Sequence, residues 1–167
     1  MSKPGCLSFI LAVSLAIICL TATACGGSAT YSADVPVSEL SSAIDAILPS
    51  SDDFATMSDD YIIGMMEIDP SEFVEHVIKL RASGANIDEY GIFKAADSQG
   101  VANAVAVANA YLARRIEAWM PEYMPEELPK MESASVKIFG HYVVYAILAE
   151  DVKADAFDAI EDILTEK

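Results

Sequence analysis

Ser135-Val136-Lys137-Ile138-Phe139-Gly140-His141-Tyr142-Val143-Val144-Tyr145-Ala146-Ile147-Leu148 is the stretch that decides the fold. Two apolar, β-branched runs flank Gly140-His141. A Gly-X pair between two such runs marks a two-residue type II′ hairpin, because its first central position needs φ > 0, which glycine takes without steric cost. The spacing therefore predicts antiparallel strands over 135–139 and 142–148.

Working outward, Asp151 is placed to cap a final helix with Val152, Ala156, Ile160, Ile163 and Leu164 inward. Upstream, Asp97 or Ser98 caps the longest helix, in which Val101, Val105, Ala108, Leu112, Ile116 and Trp119 recur at three and four until Pro121. The loop 121–129 after it displays Tyr123, Met124 and Leu128 among three acids. Such side chains either anchor a partner or fold back as a lid on the sheet. Further back, Ser83-Gly84-Ala85-Asn86 turns the chain into a strand over 89–95. The segment 73–82 fits a helix through Phe73, Val74, Val77, Ile78 and Leu80, and a strand through Val74, His76, Ile78, Leu80 and Ala82. Ser58, followed by Asp59 and Asp60, opens a short helix to about Met66, weakened by Gly64. The first helix carries Val37, Leu40, Ile44, Ile47 and Leu48 on one stripe, between Pro36 and Pro49. Hairpin strands separated by helices imply an α+β fold: a small antiparallel sheet of about four strands in two hairpins, packed by helices on one face.

The N-terminus is a different polymer. Lys3 is its only charge before an apolar run from Leu7 to Leu20, too short for the roughly 20 residues that span a bilayer as a helix. It has the form of a signal-peptide core, and Thr23-Ala24 before Cys25 resembles the bacterial lipobox, with Ala22 where that pattern most often has Leu. Residues 1–24 then form a lipoprotein signal peptide, with Cys25 as the cleavage point and the carrier of diacylglycerol. Residues 25–35 form a flexible tether and 36–167 one domain. Cys6 and Cys19 leave with the leader, so Cys25 stays as a lone thiol that lipidation explains. Ordinary secretion and an uncleaved anchor are the competing readings of this stretch. Removing 24 of 167 residues leaves 143, enough to fold alone.

The formal charge of −16 argues against a nucleic-acid partner, which would need clustered Lys and Arg. It argues equally against polybasic membrane adhesion. No Lys or Arg lies between Lys3 and Lys79, while that span carries Asp34, Glu39, Asp45, Asp52, Asp53, Asp59, Asp60, Glu67, Asp69, Glu72 and Glu75. The run is either a solvated face that resists aggregation or a docking face for divalent ions or for a cationic or protein partner at the envelope.

Catalytic signatures are missing. The chain has two histidines, His76 and His141, without the close spacing of a zinc site, and no EF-hand, G-x-S-x-G, G-x-G-x-x-G or Walker pattern. No metal or cofactor is implied. His141 reads as a turn residue and His76 as a strand-face residue beside Glu75. The acid pairs Asp52-Asp53 and Asp59-Asp60 suit loops and caps better than a calcium site. Arg114-Arg115 either grips an anion or pairs with nearby acids such as Glu117 and stays exposed.

From Asp34 onward the chain resembles a family of short bacterial lipoproteins, the domain of unknown function numbered 4358. The residues that carry the resemblance are Ile68-Asp69-Pro70, Ala82-Ser83-Gly84-Ala85, Asp88-Glu89-Tyr90-Gly91-Ile92-Phe93-Lys94 and Gly140-His141-Tyr142-Val143. Tyr90-Gly91 departs from a pattern that is usually more apolar there. The resemblance implies a lipid anchor, a fold and a strand over 73–82, and no assigned activity. The expectation is a lipid-anchored, extracytoplasmic, non-catalytic binding or interaction domain. The alternative is a cell-envelope hydrolase using scattered carboxylates across a cleft.

Overall fold

A computed structural model describes residues 30–84, 86–120 and 122–166. Five helices and five strands follow one another in the order α1 (Val37–Ile47), β1 (Phe54–Thr56), α2 (Asp59–Met66), β2 (Glu75–Arg81), β3 (Glu89–Lys94), α3 (Ser98–Glu117), α4 (Leu128–Glu132), β4 (Ser135–Phe139), β5 (Tyr142–Ile147) and α5 (Glu150–Glu166). The strands form one open antiparallel sheet in the order β1-β2-β3-β5-β4. The α+β class and the two hairpins agree with the sequence. The 73–82 segment is a strand over its central part.

The β4–β5 hairpin closes with Phe139 opposite Tyr142, and Gly140 has φ +59°, as the first central position of a II′ turn requires. A Cβ on Gly140 would also stand 3.1 Å from the Tyr31 side chain, so the turn has little room for anything larger.

Two features differ from expectation. The fifth strand, β1, has three residues, too few for a period to register. Helices also cover both faces of the sheet rather than one. On one face α1 and α5 pack Leu40, Ile44, Ile160 and Leu164 against Tyr90, Ile92, Tyr142 and Val144. On the other, α2 and α3 pack Ile62, Met66, Ala104, Ala108 and Tyr111 against Ile78, Phe93, Val143 and Tyr145. The physical reason lies in β5, where every residue is buried. A strand covered on both sides reads as a continuous apolar run, not as an alternation. Burying each such side chain contributes about 1.5–3 kcal/mol, which makes β3 and β5 the centre of the domain.

Capping follows the sequence closely. Ser58 accepts the Tyr61 amide and Asp97 the Gly100 amide. The final helix begins at Glu150, with Asp151 in its first turn rather than at the cap. The inward line of α3 is Ala104, Ala108 and Tyr111; Val101, Val105 and Leu112 flank it, and Ile116 is 42% exposed. Small alanines let α3 sit close to the sheet, and Ile116, five residues beyond Tyr111 on a helix of about 3.6 residues per turn, falls off the inward line.

Candidate functional site: a groove along the edge of β2

β1 covers the outer edge of β2 only from Lys79 to Arg81, and the Met57 amide adds one bond to the Ile78 carbonyl at 2.9 Å. Ser58 then turns the chain into α2. Among the described residues no strand pairs with the outer edge of Glu75–Val77. A groove of about 690 Å³ opens there. The α1 residues Val37, Ser38, Ser41 and Ser42 form one wall. Asp59 and Ile63 of α2, with the turn 69–71, form the other, and Val74–Val77 form the floor.

Side chains fix this geometry. Pro36 at the start of α1 offers no side-chain cap. Glu75 supplies one from β2, accepting the Val37 amide at 2.8 Å and the Lys94 ammonium at 3.1 Å. The Val37 amide chiefly, with Lys94, holds the Glu75 carboxyl below its ordinary range. Asp69 is lowered too, by the hydrogen bonds of Ser71, whose amide it accepts at 2.9 Å. Both groups are therefore ionised at neutral pH and unsuited to act as general acids. His76 Nε2 lies 3.0 Å from Asp59 Oδ1, and Lys79 donates to Asp45 at 2.5 Å. Val74 and Ile63 stay 56% and 48% exposed at the groove.

A second cluster lies on the opposite side of β2. Glu89, 1% exposed, sits under α3. The Tyr145 hydroxyl donates to its Oε1 at 2.7 Å, and Arg115 Nη1 stands 3.3 Å from its Oε2. Oε2 has no hydrogen-bond partner. Burial pushes the Glu89 carboxyl up, against the opposing pull of Arg115, Tyr145 and Tyr111. Burial acts against the Arg115 cation, but Glu89 and the tyrosines beside it outweigh that and raise its pKa. Burial raises the Tyr111 and Tyr145 phenols as well. A small pocket of about 180 Å³, lined by Tyr61, Asn86 and Arg115 among others, reaches this carboxylate.

This cluster corrects the reading of Arg114-Arg115. Arg115 pairs with the distant, buried Glu89, and Arg114 with Glu67 at 3.8 Å and the Met65 carbonyl at 3.2 Å. Glu117 is not their partner in any of these bonds. A readable signal was available: Glu89 shares strand parity with Gly91 and Phe93, and Arg115 lies four residues beyond Tyr111 on the inward line of α3.

The other singled-out residues lie elsewhere. Tyr123 is 54% exposed and its ring is 6.1 Å from that of Trp119. Met124 has φ +49° before a short 3-10 turn, and Leu128 starts α4; both are half-buried. This loop is tied to the β2–β3 turn, because Glu127 accepts the Ile87 amide and Lys130 bonds Asp88. None of the three lines the groove. His141 is a turn residue whose Nδ1 lies 3.2 Å from the Ala95 carbonyl oxygen. Cys25 lies outside the described residues. Among the described residues no three His, Cys, Asp or Glu side chains converge as a metal site, and no helix is long and apolar enough to cross a membrane.

The family model for a domain of unknown function, DUF4358, matches residues 51–148. The chain belongs to the DUF4358 family. In this DUF4358 chain the match runs from the turn before β1 to the end of the hairpin, and α1 and α5 lie outside it. The groove is thus walled by α1 on one side and by matched residues on the other. No curated protein and no solved structure matches the chain.

Proposed function

We propose that this protein is a non-catalytic binding domain held at the outer face of the cell membrane by a diacylglycerol on Cys25, and that the groove beside β2 is its binding surface. The observation that carries the second part is the open groove of about 690 Å³ along the part of the β2 edge that no described strand pairs with. Its ionised Glu75 and Asp69 suit recognition better than acid catalysis. The anchor rests on the apolar run 7–20, the small residues before Cys25 and the Gly26-Gly27-Ser28 tether. Two acyl chains hold a protein stably at a bilayer where one does not.

Two measurements test the two parts separately. The intact mass of membrane-extracted protein is expected to show cleavage before Cys25 and added diacylglycerol, both lost in Cys25→Ala. Retention of residues 1–24, or an unlipidated product, refutes the anchor. A photo-crosslinker in place of Ser38 is expected to give a discrete adduct in intact cells, and one in place of Asp158 on α5 is not. Equal labelling at both positions refutes the groove.

A hydrolase remains the second reading, because Glu89 is a buried carboxyl with a raised pKa beside a small pocket. It requires a reproducible hydrolysis of envelope polymer that Glu89→Gln abolishes.

A further inference from the structure

We propose that the groove receives an extended polypeptide segment bearing Lys or Arg, which pairs with the outer edge of β2 as an added strand in line with β1. The inference rests on the groove being the binding surface and names its occupant.

The backbone supports it first. Main-chain groups of a strand point outward at every second residue. Ile78 directs its carbonyl outward to Met57, so His76, two residues earlier, presents its amide and carbonyl on the same outer edge. No described strand takes them up. The Val74 amide is turned inward to the Lys94 carbonyl at 2.8 Å, so the open edge is Glu75–Ile78, about 10 Å at strand rise, room for one short added strand. α1 on one sheet face and α2 on the other make the opening a slot rather than a flat edge.

The sequence of that edge supports it next. Exposed edges are normally blunted by Lys, Pro or a bulge. Val74-Glu75-His76-Val77-Ile78 contains neither Lys nor Pro, and its glutamate is tied back to Val37 and Lys94. Exposed Val74 and Ile63 offer apolar contacts for alternate side chains of an incoming strand.

Charge then selects the occupant. The Asp59 side chain is 70% exposed, and Asp69 lines the same wall. The Lys79 ammonium at the groove is already engaged with Asp45, and the His76 ring lies in hydrogen-bond reach of Asp59. A chain of net charge −16 disfavours a second copy of itself on this edge. A cationic segment gains by attraction what a copy would lose by repulsion.

The test uses the full chain in detergent micelles and a fluorescent decapeptide of alternating Lys and Val. We expect saturable binding that weakens with salt, and slowed amide exchange confined to Glu75–Ile78. Replacing Lys by Glu in the peptide is expected to weaken binding by about tenfold or more, the size of a few exposed ion pairs. N-methylating alternate peptide amides on one edge is expected to abolish it. Ser42→Trp, which fills the slot from an exposed position of α1, is expected to abolish it with an unchanged thermal unfolding profile. If the N-methylated peptide binds equally, or β2 amides gain no protection, strand addition is overturned while the groove stands. Equal binding of the Glu peptide overturns the charge selection. Failure of every peptide, with the Ser38 crosslink still formed, overturns the occupant alone. Unchanged binding in Ser42→Trp removes the groove as well. Self-association blocked by Ser42→Trp assigns the edge to a second copy and overturns the proposal.

Discussion

Gly91 is the residue whose replacement tests the architecture most sharply. It lies opposite Tyr145 in the β3–β5 ladder, and the tyrosine ring lies across it. A Cβ built on Gly91 falls 2.2 Å from Tyr145 Cε1, 2.8 Å from Cζ and 2.9 Å from Cδ1. The ring has no free space to retreat into, since Tyr145 is fully buried between Phe93 and Tyr111. Moving it also breaks the 2.7 Å bond from its hydroxyl to Glu89. Overpacking costs about 1–3 kcal/mol, and leaving a buried hydrogen-bonding group unsatisfied about 1–3. The backbone entropy that alanine removes from the unfolded chain returns only about 0.4–1 kcal/mol. The expected net cost of Gly91→Ala is therefore about 3 kcal/mol, a large share of the 5–15 kcal/mol that holds a typical domain. Urea unfolding followed by far-UV circular dichroism measures it. Removing the ring first, with Tyr145→Val, should leave Gly91→Ala costing less than about 1 kcal/mol, a coupling of about 2 kcal/mol in the double-mutant cycle. If Gly91→Ala unfolds within about 1 kcal/mol of the wild type, or costs as much without the ring, the packing argument is wrong.

Arg81 donates to Asp53, to the Pro49 carbonyl and to the buried Asp88, and stacks on Phe54. Arg81→Ala should cost about 1.5–3 kcal/mol in urea unfolding because it takes the guanidinium from Asp88 Oδ2 and leaves Lys130 on Oδ1 alone, whereas the half-exposed Arg114→Ala should cost under about 1. Glu75→Ala removes the cap of α1 and should cost about 1 kcal/mol, with faster amide exchange at the start of that helix. Because the Glu75 pKa is lowered in the fold, its stabilisation is present above the ordinary 4.5 and lost as pH falls through the folded value. Glu89 has the opposite sign. Its folded pKa is raised, so its ionisation erodes stability as pH rises from 4.5 through the folded value. Glu89→Gln should flatten that decline in a pH series of unfolding midpoints, and an unchanged slope would show that another group causes it.

The sequence made the hairpin, the caps and the main helices legible because each is set by local chemistry: Gly140 in its turn, Ser58 and Asp97 at helix starts. It concealed what depends on neighbours distant in the chain. The second helical layer was encoded, since Tyr142–Leu148 is apolar at every position, but that pattern speaks only once two covering layers are considered. β1 escaped notice because three residues carry no period. The Glu89–Arg115 pair escaped because a charged residue at a strand end looks like a solvated terminus until its parity with Phe93 is counted. The groove was hidden for a related reason. It exists because β1 is short, and a missing strand partner leaves no mark in the residues that lack it.

The acid-rich first half can now be divided between the two readings of its charge. Asp45, Asp53 and Glu75 bond Lys79, Arg81 and Lys94, all on the β2–β3 hairpin, and Glu67 meets Arg114 from α3. The span without Lys or Arg before Lys79 is therefore not a uniform solvated face. Several of its carboxylates draw α1 and the turn before β1 onto cations that the later hairpin supplies. Asp59 and Asp69 stand apart from that set. Among the described residues, Asp59 bonds the histidine at the edge and Asp69 an amide in its own turn, and both wall the groove. The surplus of negative charge left after the internal pairs are formed thus falls partly where β2 has an open edge. A cationic strand would meet both at once, which is why charge reversal and amide methylation of one peptide should each weaken its binding.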